Sequence, residues 1–571
     1  MPSQTPTDLA KSPSIHRTAV QRSSHKGVLH RLDLFSGVAA AGVAVAAAMH
    51  AVVAYATLRR PYDTDYHSWA SALYSVIARS FTEQGIVALH GLPIANNPPI
   101  GTQPDAYIHW PPLFSIVLSR LFLLFGESEA VARAFAFTIS CACVVMVFLL
   151  ARACRGTRVA LGAILGFLTL PAFFVFTRLV QGTMLSIFFE MLGLFCFVKT
   201  KGNSRCAWWP AAGVIALVLA VWSSWEPLLL APTLLVIALL QRERVPLAIT
   251  YLATGAVAFG IVVILYVAGA PKMAFDLWQT LIYRVGFNYA NDSQALPLHA
   301  LPNLFFYTAH NSWPDTARIY FHDVREVLGT GGEIMLLCVG VTLSVRRTSA
   351  DREMLLVLGG LLGPWVLWFL LMHNQVLDNS FEWLLATPAA ALCVGVMFVT
   401  VHDAVRDKLP GGALPVRIVV TVGFALYLLW PLARDVSSEW PAPQPTGWVK
   451  YALDIHQNTP QDAVVLTPSP SLLPVYYARR HLLRANRDDR AVNLTLRNLD
   501  AVFPGSSVFI ALPPQDSPQA LNNWRESLRH FPLAKETPYL ILLYVGNAGD
   551  GRMAAAARLL SADDFGNPGE Q

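Results

Sequence analysis

Long apolar runs separated by short basic clusters dominate this sequence, and they constrain its fold more than any other feature. Hydrophobic residues make up 54% of the chain and charged residues only 14%, whereas a soluble globular protein carries about 25% charged residues. A helix that crosses a bilayer needs about 20 mostly apolar residues. The chain is therefore predicted to be a polytopic α-helical membrane protein.

The side of the membrane on which each loop lies follows from the basic clusters. Residues 1–33 form a polar, basic tail before the first apolar run at 34–57. The next run, 113–125, is short for a crossing, and we interpret it as an amphipathic helix in the membrane interface. All later basic clusters then fall on the cytoplasmic side, as the positive-inside rule requires.

This register predicts about eleven spans, given typical crossing lengths. They are 34–57, 133–152, 158–176, 182–199, 207–224, 226–241, 247–268, 330–346, 354–372, 382–402 and 415–434. The transmembrane unit thus covers 34–434, with two large outer loops at 58–132 and 269–329.

The C-terminal part changes character after residue 434. Short apolar stretches at 463–467, 507–513 and 539–545 are typical of buried strands, and they alternate with segments of helical pattern such as 520–530. We predict a small extracytoplasmic α/β domain over 435–546. The Gly- and Ala-rich end, 547–571, is predicted to be disordered.

The first outer loop concentrates polar residues beside the first span. Asp63 and Asp65 follow that span directly, where a carboxylate can meet substrates from both the membrane and the water. A carboxylate can take a proton from an attacking acceptor, but an aspartate can also simply cap the helix that begins near His67. Helices are predicted at about 66–81, with Trp69, Leu73, Val76 and Ile77 on one face, and at 113–125.

His109 precedes two prolines at the start of the second loop helix. Three roles stay open for it: metal ligand, phosphate contact, or a structural role in the loop. The net charge of +5 is spread over short clusters, so the composition argues for membrane topology and against nucleic-acid binding.

The segment from Ile108 to Arg133 reads IHWPPLFSIVLSRLFLLFGESEAVAR. Together with the aspartates after the first span, it resembles the GT-C glycosyltransferases related to protein O-mannosyltransferases and lipid A aminoarabinose transferase. The resemblance implies a dolichyl- or undecaprenyl-phosphate-linked sugar donor and a first-loop aspartate as base. Asp63 and Asp65 are the matching positions, and the sequence does not choose between them.

A departing lipid phosphate needs positive charge, and the planar guanidinium of arginine suits phosphate oxygens. Arg178 and Arg284 are the preferred candidates, and His109 is a further candidate for binding. Relatives often carry a second acidic residue at the outer end of the fourth span, whereas here the nearest acid, Glu190, lies about two turns deeper. Glu190 is either functional or held by a buried hydrogen bond. No cofactor is identified with certainty, and a divalent metal ion stays open.

The sequence therefore predicts a glycosyltransferase that moves a sugar from a polyprenyl-phosphate donor to a lipid, glycan or protein acceptor. The site is expected on the outer face of a plasma membrane, and the absence of cysteine from the outer loops fits a bacterial inner membrane. Two alternatives remain: a transporter or flippase of lipid-linked sugars, and a non-catalytic membrane assembly protein.

Overall fold

A computed structural model describes most of the chain with side chains. The described residues are 34–64, 68–95, 106–200, 208–271, 277–278, 281–282, 284–285, 318, 320–344, 349–372, 375–376, 380–408, 414–438, 447–467, 472–484, 505–512 and 531–547. Asp65, His67 and the predicted helix 520–530 lie outside these residues, as do the tail segments 1–33 and 548–571.

The described part of the membrane unit consists mainly of helices. Its helices are α1 (Leu34–Thr57), α2 (Ser68–Gln84), α3 (Leu113–Phe125), α4 (Glu129–Thr169), α5 (Pro171–Phe176), α6 (Thr183–Lys199), α7 (Trp208–Ser223), α8 (Leu230–Gln241), α9 (Val245–Gly269), α10 (Gly329–Ser344), α11 (Ser349–Leu371), α12 (Thr387–Lys408) and α13 (Leu414–Ser438). Short 3-10 helices precede α2, α8 and α12, at Tyr62–Thr64, Glu226–Leu229 and Ser380–Ala386.

These helices confirm the polytopic helical architecture. Within the described residues, six helices are long and apolar enough to cross a membrane, and three shorter apolar ones accompany them. The predicted spans 133–152 and 158–176 differ from the structure in detail. The first continues into the second as one bent helix, α4, which kinks at Gly156 where φ is 81°. The second ends at Thr169, because Leu170 is extended and Pro171 begins α5.

Charged residues from separate helices meet at one end of the bundle. Arg158 pairs with Asp403 at 3.0 Å, and Arg244 pairs with Glu353 at 3.4 Å. The predicted register requires these basic clusters to share a side. Cys154, four residues before Arg158 on α4, lies within electrostatic range of Glu353, so the two ion pairs are neighbours. We call this the basic end, and the opposite end, where α1 finishes, the Asp63 end.

Close contact between glycines allows α4 and α12 to pack backbone to backbone. A Cβ at Gly395 would lie only 2.5 Å from the Val159 carbonyl oxygen, and a Cβ at Gly162 would lie 3.0 Å from the Gly395 Cα. Small residues at such positions let membrane helices approach and gain dispersion contacts. This helix pair forms the centre of the bundle.

The two helices predicted in the first loop are both present, although their environments differ. Residues 70–81 of α2 are buried on every side, whereas Leu124 and Phe125 of α3 are exposed. Trp69 was predicted to share one face with Leu73, Val76 and Ile77, but it is 38% exposed whereas those three are buried. It lies in the first turn, before α2 reaches α3, which it contacts further along between Tyr74 and Ser115.

The C-terminal part contains the predicted small α/β arrangement. Its elements are α14 (Gly447–Asn458), β1 (Val464–Thr467), α15 (Leu472–Ala478), β2 (His481–Arg484), β3 (Ser507–Leu512), β4 (Leu533–Glu536) and β5 (Ile541–Asn547). The strands form one mixed sheet in the order β2-β1-β3-β5-β4. β1 is parallel to β2 and β3, while β5 is antiparallel to β3 and β4.

Candidate active site

The first predicted base, Asp63, lies in the 3-10 turn that follows α1. Its neighbour Tyr62 is completely buried, and the Tyr62 hydroxyl is hydrogen-bonded to Ser75 Oγ of α2 at 2.8 Å. Asp63 itself is only partly buried. A fixed tyrosine therefore places the aspartate at the edge of the protein interior.

Arg133 holds the backbone of this turn from the other side. Its guanidinium is 2% exposed and donates hydrogen bonds to the carbonyls of Thr57 (3.0 Å) and Pro61 (3.2 Å), and to that of Arg60. It also lies 5.1 Å from the centre of the Tyr62 ring. Cationic groups stabilise free carbonyls at the C-terminal end of a helix, so Arg133 fixes the end of α1 and the start of the turn.

Arg178 lies two residues after the end of α5. Helix α2 is hydrogen-bonded both to the segment after Arg178 and to the 3-10 turn that carries Asp63, which we call the Asp63 turn. The Val180 N–H donates to Ser71 Oγ at 3.3 Å, whereas Ser75, four residues later in α2, binds Tyr62. Side chains four apart lie on one face of a helix, roughly 5–6 Å from each other. The segments that carry Asp63 and Arg178 are thus anchored one helical turn apart.

Tyr74, which lies between Ser71 and Ser75 in α2, also contacts the segment that follows Arg178. Its hydroxyl contacts the backbone of Gly182, and burial raises the pKa of Tyr74 well above its usual value. A Cβ at Gly182 would lie 2.8 Å from the Ser223 carbonyl oxygen. Only glycine allows this approach, which brings the segment after Arg178 against the end of α7.

His109 and Trp110 are held in place through their backbone carbonyls. Trp225 Nε1 donates to the His109 carbonyl at 2.7 Å, and the Tyr266 hydroxyl donates to the Trp110 carbonyl at 2.7 Å. The guanidinium of Arg284 lies 5.0 Å from the centre of the Trp110 ring. The structure thus brings two predicted binding residues, His109 and Arg284, into one cluster.

The imidazole of His109 is neutral at physiological pH. Burial and, to a smaller extent, the positive charge of Arg284 together lower its pKa to about 4. Its Nδ1 atom is buried and makes no hydrogen bond to a described residue. A neutral imidazole can donate one hydrogen bond to a phosphate oxygen, so positive charge in this cluster has to come from Arg284.

Two completely buried acids, Glu226 and Glu382, lie near Arg284. Burial lowers the pKa of the Arg284 guanidinium, and Tyr107, Glu382 and Glu226 oppose this shift. Glu382 accepts hydrogen bonds from Trp368 Nε1 and Gln375 Nε2, both at 3.1 Å. These contacts hold Glu382, and both acids favour the charged form of Arg284.

Glu190 joins the same cluster from α6. It is 6% exposed and lies within electrostatic range of Glu226. Neither Glu226 nor Glu382 was among the site residues predicted from the sequence. An acid inside each of the apolar stretches SSWEPLL and SFEWLLA was the available signal, because a charge there requires a partner or a cavity.

The candidate residues therefore fall into two neighbouring groups at the Asp63 end. One contains Asp63 and Arg178, anchored on α2, and the other contains His109, Arg284 and Glu190. Asp65 lies outside the described residues. Within the described part of the chain, no three His, Cys, Asp or Glu side chains lie close enough together to hold a metal ion.

Comparisons with known proteins agree with this architecture. Residues 109–267 match the sequence model of the family described as dolichyl-phosphate-mannose-protein mannosyltransferase. A comparison with curated protein sequences gives no match.

Several solved structures are similar over most of the chain. ArnT from Cupriavidus metallidurans, bound to undecaprenyl phosphate, is 14% identical with a TM-score of 0.55; the alignment covers 87% of this chain and 97% of ArnT. The oligosaccharyltransferase AglB from Archaeoglobus fulgidus, in complex with an inhibitory peptide and a dolichol-phosphate, is 13% identical with a TM-score of 0.51, covering 87% of this chain and 71% of AglB.

The Archaeoglobus fulgidus oligosaccharyltransferase tethered to an acceptor peptide is also similar, at 12% identity and a TM-score of 0.50, over 83% of this chain and 69% of that one. At these identities the structural likeness establishes the fold alone, and the sequence match is confined to residues 109–267. The chain is thus a membrane protein with the fold of the GT-C glycosyltransferases, and its residues 109–267 carry the sequence pattern of the protein mannosyltransferase family.

Proposed function

We propose that this protein transfers a sugar from a polyprenyl-phosphate-linked donor to an acceptor on the non-cytoplasmic face of the membrane. The family match and similar structures that hold undecaprenyl phosphate or dolichol-phosphate support this class of donor. The acceptor is a lipid, a glycan or a protein. The meeting of basic clusters at one end of the bundle supports a cytoplasmic location for that end, in a plasma membrane of bacterial type.

The reaction is a single displacement at the anomeric carbon. Asp63 or Asp65 takes the proton from the acceptor nucleophile as the new bond to the anomeric carbon forms. The bond between that carbon and the phosphate oxygen breaks, and the lipid phosphate leaves with the electron pair. Attack from the face opposite the leaving group inverts the anomeric configuration.

The observation that carries the proposal is the anchoring of two segments on α2. Ser75 fixes Tyr62, next to Asp63, and Ser71 fixes Val180, two residues after Arg178. Asp63 would act as the base on one side of the sugar, where the acceptor attacks. Arg178 would supply positive charge on the other side, where the phosphate leaves. Preorganised charge of this kind stabilises developing negative charge without reorganisation during the reaction.

Arg284 and His109 supply the second part of the proposed phosphate site. Arg284 contributes a positive charge, and the nearby Glu226 and Glu382 favour this charged form. Neutral His109 contributes a hydrogen-bond donor. Glu190 acts through Glu226 by helping to set the charge of this cluster. Together these groups would receive the phosphate of the donor.

Aspartate substitution tests this function directly. Asp63→Asn, Asp65→Asn and the double variant are reconstituted in proteoliposomes with radiolabelled polyprenyl-phosphate sugars and a membrane extract that supplies acceptors. We expect the substitution at the true base to reduce transfer by at least about a hundredfold, since general-base catalysis contributes 10²–10⁴-fold. Stabilisation of the protein by undecaprenyl phosphate against thermal unfolding should persist.

Glu83→Gln is the matched control, because Glu83 is an exposed acid at the far end of α2 and its amide analogue should keep normal activity. Full transfer by the double variant would refute the mechanism. Movement of intact donor across the bilayer without product would instead support a flippase, and neither movement nor product would support an assembly protein.

A further inference from the structure

The C-terminal part of the chain contacts the turn that carries Asp63. Helix α15 packs against α2, and its Tyr477 hydroxyl accepts a hydrogen bond of 2.8 Å from the Tyr62 N–H. The ring of Tyr476 lies 5.0 Å from the ring of Tyr62, centre to centre. A short helix from the sheet-containing region therefore contacts both the backbone and the side chain of the residue before Asp63.

A charged network fixes α15 in this position. Arg79 of α2 donates to the Tyr476 carbonyl at 2.7 Å and to Glu127 at 2.9 Å. Glu127 also pairs with Arg479, just after α15, at 3.2 Å. Because the Arg79 and Glu127 side chains are only 5% and 14% exposed, the bond between these two is shielded from water and favours one arrangement.

The Tyr477 hydroxyl has partners on both sides. Burial raises the pKa of Tyr477 far above neutrality, and its hydroxyl also interacts with Glu129, the first residue of α4. The protonated hydroxyl can thus donate to that carboxylate while its oxygen accepts from Tyr62. Glu129 lies one turn before Arg133, whose guanidinium binds the carbonyls of the same turn.

The backbone from Thr57 to Tyr62 is therefore held at its carbonyls by Arg133 and at its last amide by Tyr477. An N–H at the start of a short helix has no partner within that helix, and a buried N–H without a partner is costly. Tyr477 supplies this partner from a residue more than 400 positions later in the chain.

We infer that the C-terminal region is part of the catalytic unit and that Tyr477 is a positioning residue for the Asp63 carboxylate. This inference rests on the proposed function and on Asp63 acting as its base. Tyr477 fixes the backbone from which the Asp63 side chain projects, so it should affect the rate of transfer more than the affinity for the donor.

Tyr477→Phe tests the inference because it removes one oxygen and keeps the ring. Two measurements are made on the full-length protein in nanodiscs: hydrogen exchange at the Tyr62 amide, and kcat and KM for transfer from a polyprenyl-phosphate sugar. We expect exchange at Tyr62 to accelerate about five- to thirtyfold and kcat to fall by a similar factor, as for a buried amide that loses its acceptor. KM should change less than twofold.

Tyr539→Phe is the matched control. The Tyr539 hydroxyl accepts a hydrogen bond from Lys450 at 3.1 Å in the same C-terminal region, so its loss should alter neither measurement. Unchanged exchange at Tyr62 in Tyr477→Phe would overturn the contact, and accelerated exchange with normal kcat would overturn the positioning role. If the wild-type protein transfers no sugar, the proposed function fails, and with it the catalytic role of Tyr477, while the exchange rate still decides the contact.

Discussion

Replacing Arg133 with lysine tests how strongly the turn before Asp63 is held. The arginine donates to the carbonyls of Thr57, Arg60 and Pro61 while almost completely buried. Lysine keeps the charge but places all its donors on one nitrogen, so it cannot reproduce the planar fork of a guanidinium. We expect it to retain about one of the three hydrogen bonds.

The expected effect follows from the two bonds that are lost. A hydrogen bond that involves a charged group contributes roughly 1.5–3 kcal/mol, so the free energy of opening the turn should fall by about 3–6 kcal/mol. Since about 1.4 kcal/mol corresponds to a tenfold change, protection of the amides around residues 58–62 should fall at least about a hundredfold. Local opening of this kind is visible without global unfolding.

Hydrogen exchange followed by mass spectrometry on the protein in nanodiscs measures this change. The control is Arg152→Lys, an exposed arginine on the same helix α4, which should leave the turn unchanged. Sugar transfer should fall together with the protection of these amides from hydrogen exchange, because the turn positions Asp63. Protection within threefold of the wild-type value in Arg133→Lys would refute the proposed role of the three hydrogen bonds.

Two further predictions concern the stability of the bundle. The pKa of His109 falls from 6.5 to about 4 on folding. Between these pH values the unfolded chain therefore binds more protons than the folded one. Lowering the pH through this window should reduce the free energy of unfolding by up to about 3 kcal/mol. His109→Asn should remove that part of the acid sensitivity in thermal unfolding at pH 4.5 and 7.5, and an unchanged difference would contradict the assignment. Gly395→Ala should destabilise the bundle by about 1–3 kcal/mol, because its Cβ would overlap the Val159 carbonyl. In contrast, Gly423→Ala has open space, and an equal loss of thermal stability in both variants would refute the packing argument.

The sequence predicted the helices well because membrane spans depend on local composition. An apolar run of sufficient length forms a helix in lipid whatever surrounds it, since every backbone hydrogen bond must be made within the segment. The runs 34–57 and 113–125 match α1 and α3 residue for residue. The interruption at Leu170 and Pro171 was missed because its flanking residues are as apolar as the helices themselves.

The candidate site was only partly predictable. The aspartates after α1 and the segment before α3 were visible as polar residues in an apolar chain, and the resemblance gave them a role. Glu382 and Tyr477 gained importance only through their contacts. Their positions in the sequence are far from the first loop, and no local pattern indicates which distant residue an amide or a guanidinium will meet.

The amino-acid sequence was sufficient to predict a multi-span helical membrane protein with polar residues concentrated after its first span. Hydrophobicity and charge act locally and additively, so they can be evaluated one segment at a time. The tertiary structure alone decided that α2 joins the Asp63 turn to the Arg178 segment, that Arg284 meets His109, and that the C-terminal region reaches the turn. These arrangements depend on which surfaces pack together, and that choice is made by the whole fold.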